Sequence, residues 1–272
     1  MDGVDCWTTA WVVHAVPALC AGRAPVASKV PPAVFLFWVV NLLATTMGET
    51  AGDAVSRTLG LGYAGASLAL LCVFALALAA QLRSRRFRPL AYWGVVAAST
   101  TAGTTVADYL DLTVGLGPPT TALLLAGALA LVLVSWRRSM GRIAFDNIQS
   151  LPDELFYWAA LLVASILGAA LGECVSDLTG FAGGVLALSL PLALLAVLHA
   201  RRAWSPVLLF WSACVLTRPL GAMLGDMLTE AHAEGGLALE RISASLAIAA
   251  LIVALTVLMS WLQRRASLRY SG

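Results

Sequence analysis

Four seventeen-residue stretches decide the fold: FWVVNLLATTMGETAGD at 37–53, YWGVVAASTTAGTTVAD at 92–108, YWAALLVASILGAALGE at 157–173 and FWSACVLTRPLGAMLGD at 210–226. Each opens on an aromatic residue and a tryptophan, and Trp38, Trp93, Trp158 and Trp211 are separated by 55, 65 and 53 residues. Aligned on those tryptophans without gaps, the stretches share a glycine ten residues on: Gly48, Gly103, Gly168 and Gly221. Five residues further each has an acid, Asp53, Asp108, Glu173 or Asp226, preceded by Gly52, Ala107, Gly172 or Gly225. Acids number 15 in 272 residues, so four in one register mark an internal repeat rather than chance.

Working outward, 60% of the chain is apolar and 12% charged, against roughly 45–50% and about 25% in soluble domains. That excludes an ordinary soluble domain and points to the lipid bilayer as the chain's surroundings. A net charge of +2 leaves no electrostatic footprint for nucleic acid. Apolar runs long enough to cross a bilayer fall near 33–57, 63–82, 90–112, 119–136, 154–178, 182–200, 206–229 and 238–262. Glycine-rich turns such as 60–63, 115–118, 180–183 and 235–236 follow each acid. The expected fold is therefore all-α: a polytopic membrane protein of eight transmembrane helices, paired into four helical hairpins with pseudo-symmetry about the membrane normal.

The expected units are a mobile N-terminal extension (1–28), repeats at 29–88, 89–152, 153–204 and 205–264, and a tail at 265–272. Fourteen of the seventeen Lys and Arg fall in alternate connections or at the termini. The positive-inside rule then places both termini in the cytoplasm. Cys6, Cys20, Cys72, Cys174 and Cys214 show no CxxC spacing, and His14, His199 and His232 form no cluster. Hydrolase, protease and nucleotide-binding signatures are missing, so no enzyme is expected.

With Lys29-Val30-Pro31, Thr45-Thr46-Met47-Gly48-Glu49-Thr50, the Thr100 to Asp108 stretch, Leu216-Thr217-Arg218-Pro219-Leu220-Gly221 and Gly235-Gly236-Leu237-Ala238-Leu239, residues 29–262 resemble a family of bacterial integral membrane proteins. Its members are built from four tandem copies of a two-span repeat of unknown function, each with a conserved tryptophan. The resemblance implies a multi-pass protein of the bacterial inner membrane and no particular reaction. Glu173 departs from its usual aspartate.

Function must then come from the polar residues. Intramembrane charges are costly and normally face a protein interior or a water-filled cavity. Glu49/Asp53, Glu173/Asp177 and Asp226/Glu230 are spaced i,i+4, on one helical face. Hydroxyls at Thr45, Thr46, Thr50, Thr100, Thr101, Thr104, Thr105 and Ser165 lie beside the acids. Such a lining suits a hard cation, unless the hydroxyls bond back to their own helices. Asp53, Asp108, Glu173, Asp226, Glu49 and Asp177 are the candidate ligands of a divalent ion, Mn or Mg; the competing reading makes them structural partners of Arg57, Arg218 and Arg241.

The glycines Gly48, Gly103, Gly168 and Gly221 read as close-packing positions. Trp38, Trp93, Trp158 and Trp211 read as interface anchors or hairpin-packing residues. Met47, Met223 and Met227 read as packing. Arg218 breaks the repeat where other units have Thr45, Thr100 and Ser165. About 10 Å along the helix from Trp211, it is expected to find an acid or helix C-terminus of a neighbouring unit and to act as a counter-charge. The leading expectation is a transporter or channel for a small cation. The alternative is a membrane sensor or scaffold without transport activity. Oligomeric state is not legible.

Overall fold

Helix starts and stops are written locally. Pro89, Pro118, Pro152 and Pro206 occupy first-turn positions, where the missing N–H costs nothing. The Ser150 side chain accepts a hydrogen bond from the Asp153 N–H and caps its helix. The computed structural model describes residues 28–31, 33, 35–84, 87–145, 148 and 150–270. The expected extension at 1–28, except Ser28, lies outside them, as do Arg85, Arg86 and the last two residues of the tail.

Among the described residues there are seven helices: α1 (Phe35–Asp53), α2 (Gly62–Arg83), α3 (Pro89–Asp108), α4 (Pro118–Met140), α5 (Leu151–Ala200), α6 (Pro206–Thr229) and α7 (Arg241–Tyr270). The expected count was eight. The fifth and sixth expected spans run together in α5, which is interrupted by one non-helical residue, Gly180 (φ 67°, ψ 171°). The cause is a substitution in the turn. Gly60 and Gly62, and Gly115 and Gly117, all take positive φ. In the third unit Ala182 replaces the second glycine, so helical hydrogen bonding resumes at once. The chain nevertheless turns back there, because a methyl group on Gly184 would lie 3.0 Å from Val175 Cγ1, nine residues earlier and about 13 Å away along a straight helix.

Five helices are long and apolar enough to cross a membrane: α2, α4, α5, α6 and the Arg241–Leu262 part of α7. α1 and α3 are not among them, because they carry the polar residues and are enclosed. Asn41, Thr45, Thr46, Glu49, Thr50 and Asp53 are all buried in α1, as are Ser99, Thr100, Thr101, Thr104, Thr105 and Asp108 in α3. α2, α4 and α7 instead expose apolar faces, with Leu68, Leu76, Leu123, Leu131 and Leu246 all open to the surroundings. Polar inside and apolar outside is the arrangement a bilayer demands.

α1 packs on α3 and α6, α3 on α5, and α5 on α6, so the four tryptophan-bearing helices close a ring. The repeated glycine makes each contact. A methyl group on Gly48 would lie 2.6 Å from Thr100 Cβ, and one on Gly103 would lie 2.7 Å from Ser165 Cβ; Gly168 faces Arg218 and Gly221 faces Thr45 in the same way. One turn on, Gly52 meets Thr104, Gly172 meets Ala222 and Gly225 meets Glu49. α2 then covers α3, α4 covers α5, and α7 covers α1.

The tryptophans and the aromatic residues before them close a second ring. Trp93, Trp158 and Trp211 are buried, Trp158 to 1% exposure. Phe37 packs on Trp93 (ring centroids 5.4 Å apart), Tyr92 on Trp158 (5.4 Å), Tyr157 on Trp211 (5.9 Å) and Phe210 on Trp38 (5.5 Å). Of the two expected roles, packing is the one these ring contacts describe: the aromatic residue before each tryptophan supplies a matching ring, and tilted or edge-on pairs of this kind add to area burial.

Gly48→Ala, Gly103→Ala, Gly168→Ala and Gly221→Ala should each destabilise the protein by about 1–3 kcal/mol through overpacking. Gly127→Ala, with nothing within 4 Å of the added methyl, should leave the melting temperature in detergent unchanged or slightly raised. Thermal unfolding of the purified chain checks both.

Candidate functional site

Counted from its tryptophan, each ring helix presents one face at positions −1, +3, +7, +11 and +15. A step of four residues rises about 6 Å and keeps to one side of the helix. The resulting layers are Phe37, Tyr92, Tyr157 and Phe210; then Asn41, Val96, Leu161 and Cys214; then Thr45, Thr100, Ser165 and Arg218; then Glu49, Thr104, Ala169 and Ala222; and last Asp53, Asp108, Glu173 and Asp226. The third and fourth layers line a small cavity of about 10 Å³. The repeat thus has an axis, and its polarity rises from the tryptophan end to the carboxylate end.

In the aromatic layer a 2.6 Å hydrogen bond between the Tyr92 and Tyr157 hydroxyls joins the neighbouring helices α3 and α5. In the next, Asn41 Nδ2 donates to Thr217 Oγ1 at 3.0 Å, joining α1 to α6. In the hydroxyl layer Thr100 Oγ1 donates to the Ala44 carbonyl of α1 at 2.9 Å, and Ser165 donates to the Leu161 carbonyl while accepting from Arg218 Nη1. Thr46, Thr50, Thr101 and Thr105 bond back to carbonyls of their own helices. The oxygen-rich lining is therefore narrower than the sequence suggested. Glu49, in the fourth layer, accepts from Thr104 Oγ1 at 3.0 Å.

The acids come together. Asp53, Asp108, Glu173 and Asp226 are all electrostatic neighbours of Glu49, and Asp226 also has Asp53 and Asp108 as neighbours. Asp53 is the compensated member: Arg57 Nε lies 3.2 Å and Arg241 Nε 3.3 Å from its oxygens, and both arginines also reach Glu230, at 3.0 and 3.1 Å. Asp108, Asp111, Glu173 and Asp226 form no ion pair among the described residues. Asp108 and Asp111 instead face the Glu173 carboxyl within hydrogen-bonding reach. No donor serves Asp108 Oδ2 or either Asp111 oxygen. Two carboxyls can share a hydrogen bond only with a proton between them, and otherwise need a cation.

Both α1 and α3 pass into a π-helical turn just past this layer, at Ala54–Thr58 and Tyr109–Thr113. Such turns re-aim side chains and gather at functional sites. The second brings Asp111 back beside Glu173. Asp111 is a site residue that the four-residue register does not flag, and the Asp108/Asp111 spacing on one helix was its only signal.

Asp177 does not join: it is exposed, near Gly180. Arg218 is 2% exposed, yet its partner is the Ser165 hydroxyl of the neighbouring helix and not the acid or helix C-terminus expected, because its side chain leans back toward the tryptophan end. Cys214, Tyr157 and Tyr92 are its electrostatic neighbours. Among the described residues no three His, Cys, Asp or Glu side chains form a metal coordination set. The divalent-ion expectation thus finds neighbouring carboxylates but no preformed cage. At the tryptophan end, Lys29 Nζ bonds Glu154 at 2.6 Å and its N–H reaches the Ile148 carbonyl at 3.2 Å, while Trp136 Nε1 donates to Asp153 at 2.9 Å. The first contact ties the start of the first unit to the start of the third, and the other two tie the end of the second unit to each of them.

Asp53→Asn should lower stability by about 1–3 kcal/mol, because it strips a buried partner from two arginines. Glu173→Gln, which removes a charge facing other acids, should leave stability unchanged or raise it. Melting curves in chelator-treated detergent at neutral pH distinguish the two, and the reverse order would contradict the charge assignment.

The chain matches the model of the Repeat of Unknown Function (DUF347) at residues 36–87, 91–142 and 209–265, more than half its length. No curated protein and no solved structure matches it. The matched segments contain the glycine, the acid and the covering helix of the first, second and fourth units, and the third stretch lies between them. On the strength of these three matches the chain belongs to the family of the Repeat of Unknown Function (DUF347).

Proposed function

We propose that this protein is a multi-pass transporter for a small cation in the bacterial inner membrane. It has eight spans in four hairpins around an axis along the membrane normal, with the tryptophan end and both termini in the cytoplasm. On this reading the repeat units are 29–88, 89–152, 153–204 and 205–264. The break at Gly180 and the closed ring of α1, α3, α5 and α6 support four like units. The positive-inside distribution supports the orientation.

One observation carries the transport reading. Glu49, Asp53, Asp108, Asp111, Glu173, Asp226 and Glu230 gather at one end of the axis and, among the described residues, pair only with Arg57 and Arg241. Seven carboxylates against two paired cations leave a site that must take up protons or other cations to exist at membrane depth. The substrate class is a small cation held by Asp108, Glu173 and Asp226, with Asp111 beside Glu173. Asp53 serves mainly as the anchor of the arginine network.

Purified full-length chain in proteoliposomes should show saturable flux of at least one of Mn2+, Mg2+, Na+, K+ or H+. Asp108→Asn, Glu173→Gln and Asp226→Asn should each reduce it by about tenfold or more, the usual scale for losing an ion-binding side chain. Asp177→Asn should match the wild type. Absence of flux for every ion in the panel would overturn the transport reading in favour of a sensor or scaffold.

A further inference from the structure

Arg218 stands in the layer where the other three units place Thr45, Thr100 and Ser165, so one guanidinium breaks a ring of hydroxyls on the axis. It is fully enclosed: Nη1 donates to Ser165 Oγ, and neither Nε nor Nη2 has a partner among the described residues. Glu49, one layer further on, is the single carboxylate lining the same cavity, whose volume of about 10 Å³ holds roughly one water molecule. The backbone beneath Arg218 cannot retreat, because Gly168 of α5 lies directly against its Cβ. Only the side chain can move.

We propose that Arg218 is a tethered cation that seals the axial path at the hydroxyl layer, between Glu49 on one side and the tyrosine layer on the other. This rests on the reading of the axis as the ion path. A mobile cation arriving from the carboxylate layer meets Glu49 first and the guanidinium one layer further on. It passes the hydroxyl layer only when the guanidinium swings away. A fixed positive charge in a narrow passage repels cations, as basic residues do in selective pores. The site is therefore open toward the carboxylate end and shut toward the tryptophan end. That describes a carrier with a charge-operated step and not an open channel.

Arg218→Gln and Arg218→Lys variants of the full chain in proteoliposomes test this under a potassium diffusion potential, with an internal pH dye and internal sodium and potassium indicators. The Gln variant should leak cations about tenfold faster than the wild type, since the electrostatic barrier is gone; the Lys variant should stay sealed. A folded Gln variant, shown by its melting curve, that is as tight as the wild type would overturn the seal. Thr100→Cys keeps Arg218 and reports access to the hydroxyl layer, in protein whose melting curve matches the wild type. A cationic methanethiosulfonate added at the tryptophan side should leave position 100 unmodified by mass spectrometry, and modification as fast as at Cys72, which is exposed, would overturn the proposal. A wild type that carries no cation beside a leaky Gln variant would sink transport and leave the seal standing. Wild-type flux beside a tight Gln variant would do the reverse.

Discussion

The ring depends on one contact made four times: a glycine of each inner helix lies against the residue three positions earlier in the register of the next helix. Gly48 meets Thr100, Gly103 meets Ser165, Gly168 meets Arg218 and Gly221 meets Thr45. Within a bilayer no hydrophobic force draws helix to helix, so close backbone approach and the dispersion it brings must supply the association. The contact also sets the register. Because glycine at +10 sits on the +7 residue of the next helix, the +7 side chains are held at one level around the axis. The layers four residues above and below follow from it, down to the aromatic ring and up to the acids.

Once that register is fixed, the polar face has nowhere to go but inward. The inner helices α1 and α3 are too polar to face lipid alone, and they are hidden because α2 covers α3 and α7 covers α1. Polar contacts stitch the two shells: Ser67 of α2 donates to the Thr105 carbonyl at 2.8 Å, and Ser245 of α7 to Thr50 Oγ1 at 2.8 Å. Concentrating seven carboxylates in this setting is expensive unless the charge is compensated. Two arginines compensate part of it, and both attach to Asp53 and Glu230, on the side where α1 meets α6 and α7. Among the described residues the Asp108, Asp111 and Glu173 side has no such ion pair, so its charge is the part left uncompensated.

Much of this was legible because the repeat is written in side chains that have little choice. Glycine at +10, an acid at +15 and the glycine turns placed every inner helix, and α6 begins and ends where its hydropathy did, at 206–229. Three things were not legible, each for a physical reason. The break at Gly180 needed two glycines to look like the other turns, and Ala182 leaves one. The tryptophans carry the composition of an interface anchor, and only the matching aromatic at −1 on the preceding helix shows that they pack on one another. Arg218 was expected to seek an acid, but a long side chain on a helix leans toward the helix N-terminus. It therefore reaches Ser165 and the tyrosine layer and turns away from Asp226, eight residues further along.

The departures from fourfold likeness are not scattered. Asn41, Glu49 and the doubly paired Asp53 belong to α1, and Arg218 and Thr217 to α6. The matching places in α5 are Leu161 and Ala169, and in α6 the +11 place is Ala222. The most polar seam is thus the one between α1 and α6, where the first and last units of the chain meet and the ring closes. Every other inner seam joins consecutive units, whose connections already keep them together. The closing seam has no such help, and Asn41 to Thr217, Gly221 on Thr45 and Gly225 on Glu49 give it a register that apolar packing alone would leave free to slide. The same seam carries Arg218 and Glu49 to opposite sides of one cavity. The residues that fix the ring's closure and those that would meet an ion on its axis are therefore neighbours on the same two helices.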